Sequence, residues 1–174
     1  ESTDGSNGVC CIVFDKNKTI DGKTAKIYVS ALANGVYCSE DGGKTFSLMN
    51  NSPKILKNLV LAENGTLFAA NNFDNGEIYK YKDGEWKIIS PYEKREYSID
   101  VNPFNSDMLI SSSTNDIFLS FDGGDSWENI SKAKNKGFTV PWWPASYFAN
   151  HMTWAKFDPH HKNRVYFGDW FGQW

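Results

Sequence analysis

Two carboxylates, Asp169 and Asp100, are the candidate catalytic groups of this sequence. Asp169 follows Gly168 and precedes Trp170, so an aromatic wall there would favour the protonated carboxyl. Asp100 lies in the apolar segment Ile99-Asp-Val-Asn102. Cleavage of a glycosidic bond needs two carboxyl groups flanking that bond, one of them protonated. The alternative for each residue is a structural acid that binds backbone in a turn or strand.

Aromatic side chains concentrate at the end of the sequence. Five of the 7 tryptophans fall in the final 33 residues. Flat aromatic faces suit the C–H faces of sugar rings, and a nearby imidazole can bond hydroxyl groups. The predicted substrate-binding residues are Trp142, Trp143, Trp170, Trp174 and His151. The alternative is that these large side chains fill the space between packed sheets.

A repeated turn sequence indicates which elements must position these residues. Residues 35–46 align with residues 116–127, and Asp41 lies 81 residues before Asp122. A degenerate copy, with Asp83 at the turn, lies about midway. Each unit of about 40 residues reads as four short antiparallel strands, which is typical of a propeller blade.

We therefore predict an all-β fold, a β-propeller of four-stranded antiparallel blades. Residues 1–174 form one partial propeller of about three and a half blades, a fragment of a seven-bladed ring. The units are approximately 9–53, 54–95, 96–137 and 138–174, and the last contains an aromatic-rich insertion. A β-sandwich is the competing fold, but it does not require one turn sequence to recur at a fixed interval.

The recurring pattern is Ser-x-Asp-Gly-Gly-x-Ser/Thr-aromatic. Its carboxylate can accept backbone N–H bonds, its glycines permit positive φ, and its aromatic residue can pack under the turn. A calcium loop is the alternative, but the alternating oxygen ligands and distal Glu of an EF-hand are missing. We expect a structural clip formed by Ser39, Asp41, Gly43 and Phe46 in one copy and by Ser120, Asp122, Gly124 and Trp127 in the other.

These two turns resemble the Asp-box (BNR) repeats of sialidases, of family 74 glycoside hydrolases and of sortilin-type receptors. The segment Val140-Pro-Trp-Trp-Pro144, followed by residues 151–159 and 163–172, is similar to the xyloglucanase type. In that family two separate propellers each contribute one acid, so a partial propeller would hold at most one. Sialidases grip a sugar carboxylate with three arginines, whereas this sequence has only Arg95 and Arg164.

The xyloglucanase resemblance implies a secreted, extracellular carbohydrate-binding protein involved in polysaccharide degradation. Its enzyme activity would be that of a glycoside hydrolase on plant β-glucan or xyloglucan, and its partner a polysaccharide or oligosaccharide. The alternative is a non-catalytic Asp-box propeller that binds protein or glycan, as sortilin-like or adhesion propellers do. In both cases we expect the remainder of the propeller, as further chain, to complete the fold.

Composition excludes other classes of function. The formal net charge is -3 and no run of Lys or Arg occurs, so we expect no nucleic-acid partner. Apolar runs are too short for a membrane span. We expect no metal and no cofactor, because no zinc-type His/Cys spacing and no phosphate loop is present. Cys10 or Cys11 could reach Cys38 if their strands are neighbours, or all three could be buried thiols.

Overall fold

The fold is known from a computed structural model that describes residues 8–71, 76–91, 98–113, 116–130, 152–169 and 172–173. At positions 152, 153, 169, 172 and 173 the description covers the backbone alone. Every regular element among the described residues is a β-strand.

The strands are short, and they follow one another at the spacing of the sequence repeat. The first ten are β1 (Val9–Phe14), β2 (Thr19–Ile20), β3 (Lys23–Thr24), β4 (Ile27–Ala31), β5 (Gly35–Ser39), β6 (Ser47–Leu48), β7 (Asn58–Leu61), β8 (Leu67–Ala70), β9 (Ile78–Lys82) and β10 (Glu85–Ile88). The others are β11 (Ser98–Asn102), β12 (Asn105–Ser113), β13 (Asp116–Ser120), β14 (Glu128–Asn129), β15 (Met152–Phe157), β16 (Val165–Asp169) and β17 (Gly172–Gln173).

Four antiparallel sheets result, which we call blades I to IV. Blade I has the order β1-β4-β5-β6, blade II β7-β8-β9-β10, blade III β11-β12-β13-β14 and blade IV β15-β16-β17. The first strands of successive blades contact one another, from β1 to β7, β11 and β15. The chain is therefore a partial β-propeller, with the first strand of each blade innermost.

Alternation along the strands gives each blade two apolar faces. In blade I, Cys11, Val13, Tyr28 and Val36 face blade II, where they pack around Leu59, Leu67 and Ala69. A second apolar cluster joins blades II and III around Val60, Phe68, Ile78, Ile99 and Phe118. A third joins blades III and IV around Ile110, Ile117, Ala155 and Phe157. Because successive side chains point to opposite faces, blades II and III each serve two interfaces.

One element has no counterpart in the repeat. The strands β2 and β3 pair as a small hairpin between β1 and β4. Its two-residue turn holds Asp21 at φ 50° and Gly22 at φ 73°, the left-handed pair that a tight hairpin requires. Blade II uses the same turn between β9 and β10, where Asp83 has φ 53° and Gly84 φ 90°.

Turns at one end of the blades are closed by short polar side chains. The backbone N–H two residues further on donates to Oδ1 of Asp15 (3.0 Å), Asn102 (2.8 Å) and Asp158 (2.7 Å). These residues end or follow the first strands of blades I, III and IV, where an Asx turn reverses the chain. Side chains at these turns also reach the next blade, since Asn17 Nδ2 donates to the Glu63 carbonyl at 3.1 Å.

Candidate functional site

Antiparallel order separates the loops of the propeller into two ends. The Asp-Gly-Gly turns and the turns after each first strand lie at one end, which we call the turn end. At the opposite end, which we call the link end, the chain passes from one blade to the next. Ile130 and Met152, which flank residues 131–151, both lie at the link end. The backbone of Asp169 is at the same end, paired with Met152.

An aromatic ring lies next to the backbone of Asp169. The indole of Trp154 covers Gly168, where an added Cβ would sit 2.5 Å from Trp154 Nε1. Glycine is therefore required at position 168 if the ring keeps this place. The side chain of Asp169 is outside the described residues, as are Trp142, Trp143, Trp170, Trp174 and His151.

Asp100 binds the neighbouring blade. Its Oδ2 accepts the backbone N–H of Phe157 at 2.8 Å, and Lys156 Nζ lies 3.1 Å from its Oδ1. The Asp100 side chain is mostly buried, and both contacts run from the inner strand of blade III to that of blade IV. A contact of the same kind joins blades II and III, where Asn58 Oδ1 accepts the N–H of Ile99 at 2.8 Å.

Strand geometry separates the two candidate acids. The Asp100 carboxylate is bound at Phe157, which pairs with Val165, whereas Asp169 lies four residues further along β16. Four residues of strand span about 13 Å. Asp100 and the backbone of Asp169 are therefore separated along the strand direction, and the catalytic role of each acid stays a prediction.

The two Asp-Gly-Gly turns share one internal hydrogen-bond network. In blade I, Asp41 Oδ1 accepts from Ser39 Oγ at 2.8 Å and from the N–H of Thr45 at 2.9 Å, and its Oδ2 accepts from Thr45 Oγ1 at 2.7 Å. In blade III, Asp122 accepts from Ser120 Oγ and from the N–H and Oγ of Ser126 at 2.8, 2.9 and 2.5 Å. Asp41 and Asp122 thus occupy matching hairpin bends.

The networks also hold both carboxyls ionised. Hydrogen bonds from the backbone and hydroxyl of Thr45, then from Ser39, lower the pKa of Asp41 to about 2. The hydroxyl and backbone N–H of Ser126, then Ser120, lower the pKa of Asp122 to about 2. A carboxyl with so low a pKa is a poor general acid at neutral pH.

The surroundings of the two turns differ. In blade III, Lys80 Nζ donates to the Gly123 carbonyl at 2.8 Å and Trp127 Nε1 donates to the Ile89 carbonyl at 2.6 Å. An added Cβ on Gly124 would collide with Ile89 Cδ1. These partners all come from blade II. In blade I, Gly43 is exposed and Phe46 keeps 43% of its surface in solvent.

A buried carboxylate organises the turn between β15 and β16. Asp158 accepts from the N–H groups of His160 and His161 at 2.7 and 3.1 Å and from Tyr166 Oη at 3.0 Å, with Arg164 Nη1 at 3.4 Å. These bonds, that of His160 first, lower the pKa of Asp158 to about 2. The Asp158-Pro159 dipeptide is typical of a turn, but nothing in the sequence pointed to the Tyr166 and Arg164 contacts.

Other chemical groups are sparse in the described part of the chain. No cluster of three His, Cys, Asp or Glu residues there could hold a metal ion. The same residues include no helix with the length and hydropathy to cross a membrane. Cys10, Cys11 and Cys38 are free thiols.

Solved structures of known proteins share this arrangement of strands. A GH74 enzyme from Niastella koreensis matches with TM-score 0.82 and 25% identity, covering 98% of this chain and 29% of that one. The GH74 xyloglucanase from Xanthomonas campestris gives 0.76 and 20%, covering 95% and 27%. YCF48 from Cyanidioschyzon merolae gives 0.64 and 16%, covering 99% and 54%. No protein-family profile and no curated protein matches the sequence.

The chain corresponds to only part of each of the GH74 proteins that it resembles. The chain spans less than a third of the length of both GH74 proteins. The structure is thus similar to part of a GH74 propeller, and it also resembles a larger share of YCF48.

Proposed function

We propose that this chain is part of a secreted carbohydrate-active propeller, a glycoside hydrolase that acts on plant β-glucan such as xyloglucan. The observation that carries the proposal is the likeness of nearly the whole chain to a GH74 enzyme. In this proposal the two Asp-Gly-Gly turns are Asp boxes of structural role, and the units are bounded near residues 53, 95 and 137. Further blades complete the ring around the substrate.

The link end supports this assignment. Loops at one end of a propeller are where ligands bind, because the rigid strands hold them in place. The backbones of Asp169, Ile130 and Met152 and the Trp154 ring lie at this end. We therefore place the sugar site there, with Trp142, Trp143, Trp170, Trp174 and His151 as contacts and Asp169 as the single acid contributed by this part of the ring.

Calorimetric titration of the complete protein with xyloglucan oligosaccharides tests the binding step. Trp142→Ala and Trp143→Ala are each expected to weaken binding about tenfold, equivalent to ~1.4 kcal/mol. The matched control is Phe121→Ala, which removes an exposed aromatic side chain at the turn end. Unchanged affinity in both tryptophan variants, or equal losses in all three, would contradict the proposal.

A second function is favoured by the contacts of Asp100. Asp100 is the candidate acid whose side chain is described. That side chain joins two blades, because it binds Lys156 and the backbone N–H of Phe157. A propeller whose acids are all structural would bind glycan or protein without cleaving it. Asp169→Asn separates the two functions, since it abolishes xyloglucan cleavage in a hydrolase and leaves the affinity of a binding module unchanged.

A further inference from the structure

The first strand of blade I contains two adjacent thiols. Cys10 and Cys11 lie at the start of β1, which is at the link end. Both are free thiols, and Cys10 is exposed whereas Cys11 is partly buried. In a regular strand, consecutive side chains point to opposite faces of the sheet. Two adjacent cysteines would then be held apart, so a joint role depends on the backbone between them.

A β-bulge interrupts β1 at these residues. Val9 pairs with Ala31 and Cys11 pairs with Ser30, so Cys10 is an extra residue on its strand. A bulge sets two consecutive residues against one residue of the neighbouring strand and changes the direction of their side chains. The bulge therefore places both cysteines opposite Ser30, and this relaxes the alternation that would separate the two thiols.

The bulge is a feature of particular blades. Blade III pairs in regular register at the same end, from Ser98 opposite Ser112 onwards. Blade IV has a register shift between Met152 and Trp154, at the equivalent place in its first strand. Bulges are common beside functional sites, where they direct side chains. Packing of a blade thus does not require the bulge at Cys10, and this favours a local role for the bulge.

The hydroxyl opposite the two thiols is buried and available for a hydrogen bond. Ser30 has 0% of its surface exposed, and its Oγ has no hydrogen-bond partner among the described residues. Directly opposite residues of a sheet have Cβ atoms about 4.5–5.5 Å apart, so this hydroxyl can reach a sulfur atom at the bulge. A hydrogen bond to a charged acceptor is stronger than one to a neutral acceptor. The Ser30 hydroxyl would therefore stabilise the thiolate form of a cysteine at the bulge.

The present contacts of the two sulfur atoms are weak. Cys10 Sγ lies 3.7 Å from the Gly8 carbonyl oxygen, and Cys11 Sγ lies 3.7 Å from the Leu59 carbonyl oxygen of blade II. A thiol is a weak donor, so both contacts are easily exchanged for stronger ones. The third cysteine differs, because burial raises the pKa of Cys38 to about 11 and keeps it a thiol at neutral pH. The bulge is therefore the place where two thiols can act together.

We propose that Cys10 and Cys11 bind a Cu(I) ion, and that the Ser30 hydroxyl donates a hydrogen bond to one of the two sulfur atoms. Soft thiolates select Cu(I), and this ion forms stable complexes with two sulfur ligands. Zinc requires about four ligands, and the described residues contain no cluster of three His, Cys, Asp or Glu that could hold it. Binding forms two Cu–S bonds, releases both thiol protons to solvent and leaves the oxidation state of copper unchanged. The inference is independent of the proposed sugar chemistry.

Anaerobic titration of the full chain with Cu(I), in competition with the chromophoric chelator bicinchoninate, tests the site. We expect one ion to bind per chain. Cys10→Ser and Cys11→Ser should each weaken binding more than about 100-fold, since each removes a ligand, and Ser30→Ala should weaken it about tenfold. The matched control is Cys38→Ser, which should bind Cu(I) as the unaltered chain does. Unchanged affinity in Cys10→Ser or Cys11→Ser, or an equal loss in Cys38→Ser, would overturn the proposal.

Alkylation of the unaltered chain provides a test that does not depend on folding of the variants. Iodoacetamide labelling, read by mass spectrometry, is compared before and after one equivalent of Cu(I) is added. We expect labelling of Cys10 and Cys11 to fall together and labelling of Cys38 to stay the same. Sedimentation should give the monomer mass with and without the ion. Loss of labelling at Cys10 alone, or a dimer that forms only with copper, would show that Cys10 binds the ion without Cys11, and this result would contradict the proposal.

Discussion

The turns of blades I and III contain the same hydrogen bonds but have different neighbours. Asp41 and Asp122 each accept three bonds from the hydroxyl two residues before and the residue four positions after. Around Asp122, blade II adds Lys80 and Ile89, whereas the turn of Asp41 is exposed. The hydrogen bonds inside a turn are thus formed by the residues of that turn alone. The burial of the turn depends instead on the preceding blade.

The aromatic residue that closes each turn gives the largest expected difference between the two. Trp127→Ala is expected to cost about 3 kcal/mol, because it opens a cavity against blade II and removes the bond to the Ile89 carbonyl. Phe46→Ala should cost less than about 1 kcal/mol, since that ring is largely exposed. Urea unfolding measures the loss of stability in both variants, and equal losses would contradict the difference between the two turns.

The second glycine of each turn gives the next largest difference. Both Gly43 and Gly124 have positive φ, so alanine strains either turn. Gly124→Ala also collides with Ile89 and should cost about 1–3 kcal/mol more than Gly43→Ala. The measurement is the difference in free energy of unfolding between the two variants, and a difference near zero would contradict the packing of Ile89 on this turn.

The contribution of each turn to the stability of the fold should depend on pH in the same way, because it arises from hydrogen bonds inside the turn. The pKa values of Asp41 and Asp122 are about 2 in the folded chain, below the usual value of 3.8. Each carboxylate therefore stabilises the fold above about pH 4, and this stabilisation is lost as the pH falls towards 2. Asp41→Asn and Asp122→Asn should each reduce the fall in the urea midpoint between pH 5 and pH 2.5 by a similar amount. A clear inequality would show that blade II changes the carboxylate environment.

A small difference in stability is also expected between variants of two lysines of blade II. Lys80→Met removes the bond to the Gly123 carbonyl and should cost about 1 kcal/mol. Lys87→Met removes an exposed ion pair with Asp125 and should cost less than about 0.5 kcal/mol. Thermal unfolding of the two variants measures this difference in stability. A larger loss for Lys87→Met than for Lys80→Met would indicate that Lys80 does not support the turn.

Much of this fold could be predicted from the sequence, because the signals are local. The 81-residue spacing of Asp41 and Asp122 and the Asp83-Gly84 turn predicted repeated four-stranded sheets, and the propeller prediction is confirmed. The β2–β3 hairpin was not predicted, since it interrupts one unit alone.

The contacts between blades could not be predicted in the same way. Asp100 was selected as an acid within the apolar segment of residues 99–102, but its contact with Phe157 joins residues 57 positions apart. Lys80 and Gly123 are 43 positions apart, and an isolated lysine carries no pattern that points to a carbonyl in another blade. The roles of Asp169 and of the tryptophans at positions 142, 143, 170 and 174 stay predictions.

The central claim is that each blade covers one face of the next, so that equivalent residues are exposed in blade I and buried in blade III. Two single-cysteine variants, Ile12→Cys and Ile99→Cys, test it in a background where Cys10, Cys11 and Cys38 are alanine. Reaction with a thiol reagent is expected to be fast at position 12 and limited by unfolding at position 99, because Ile99 is fully buried and Ile12 is half exposed. Equal rates at the two positions would contradict the account.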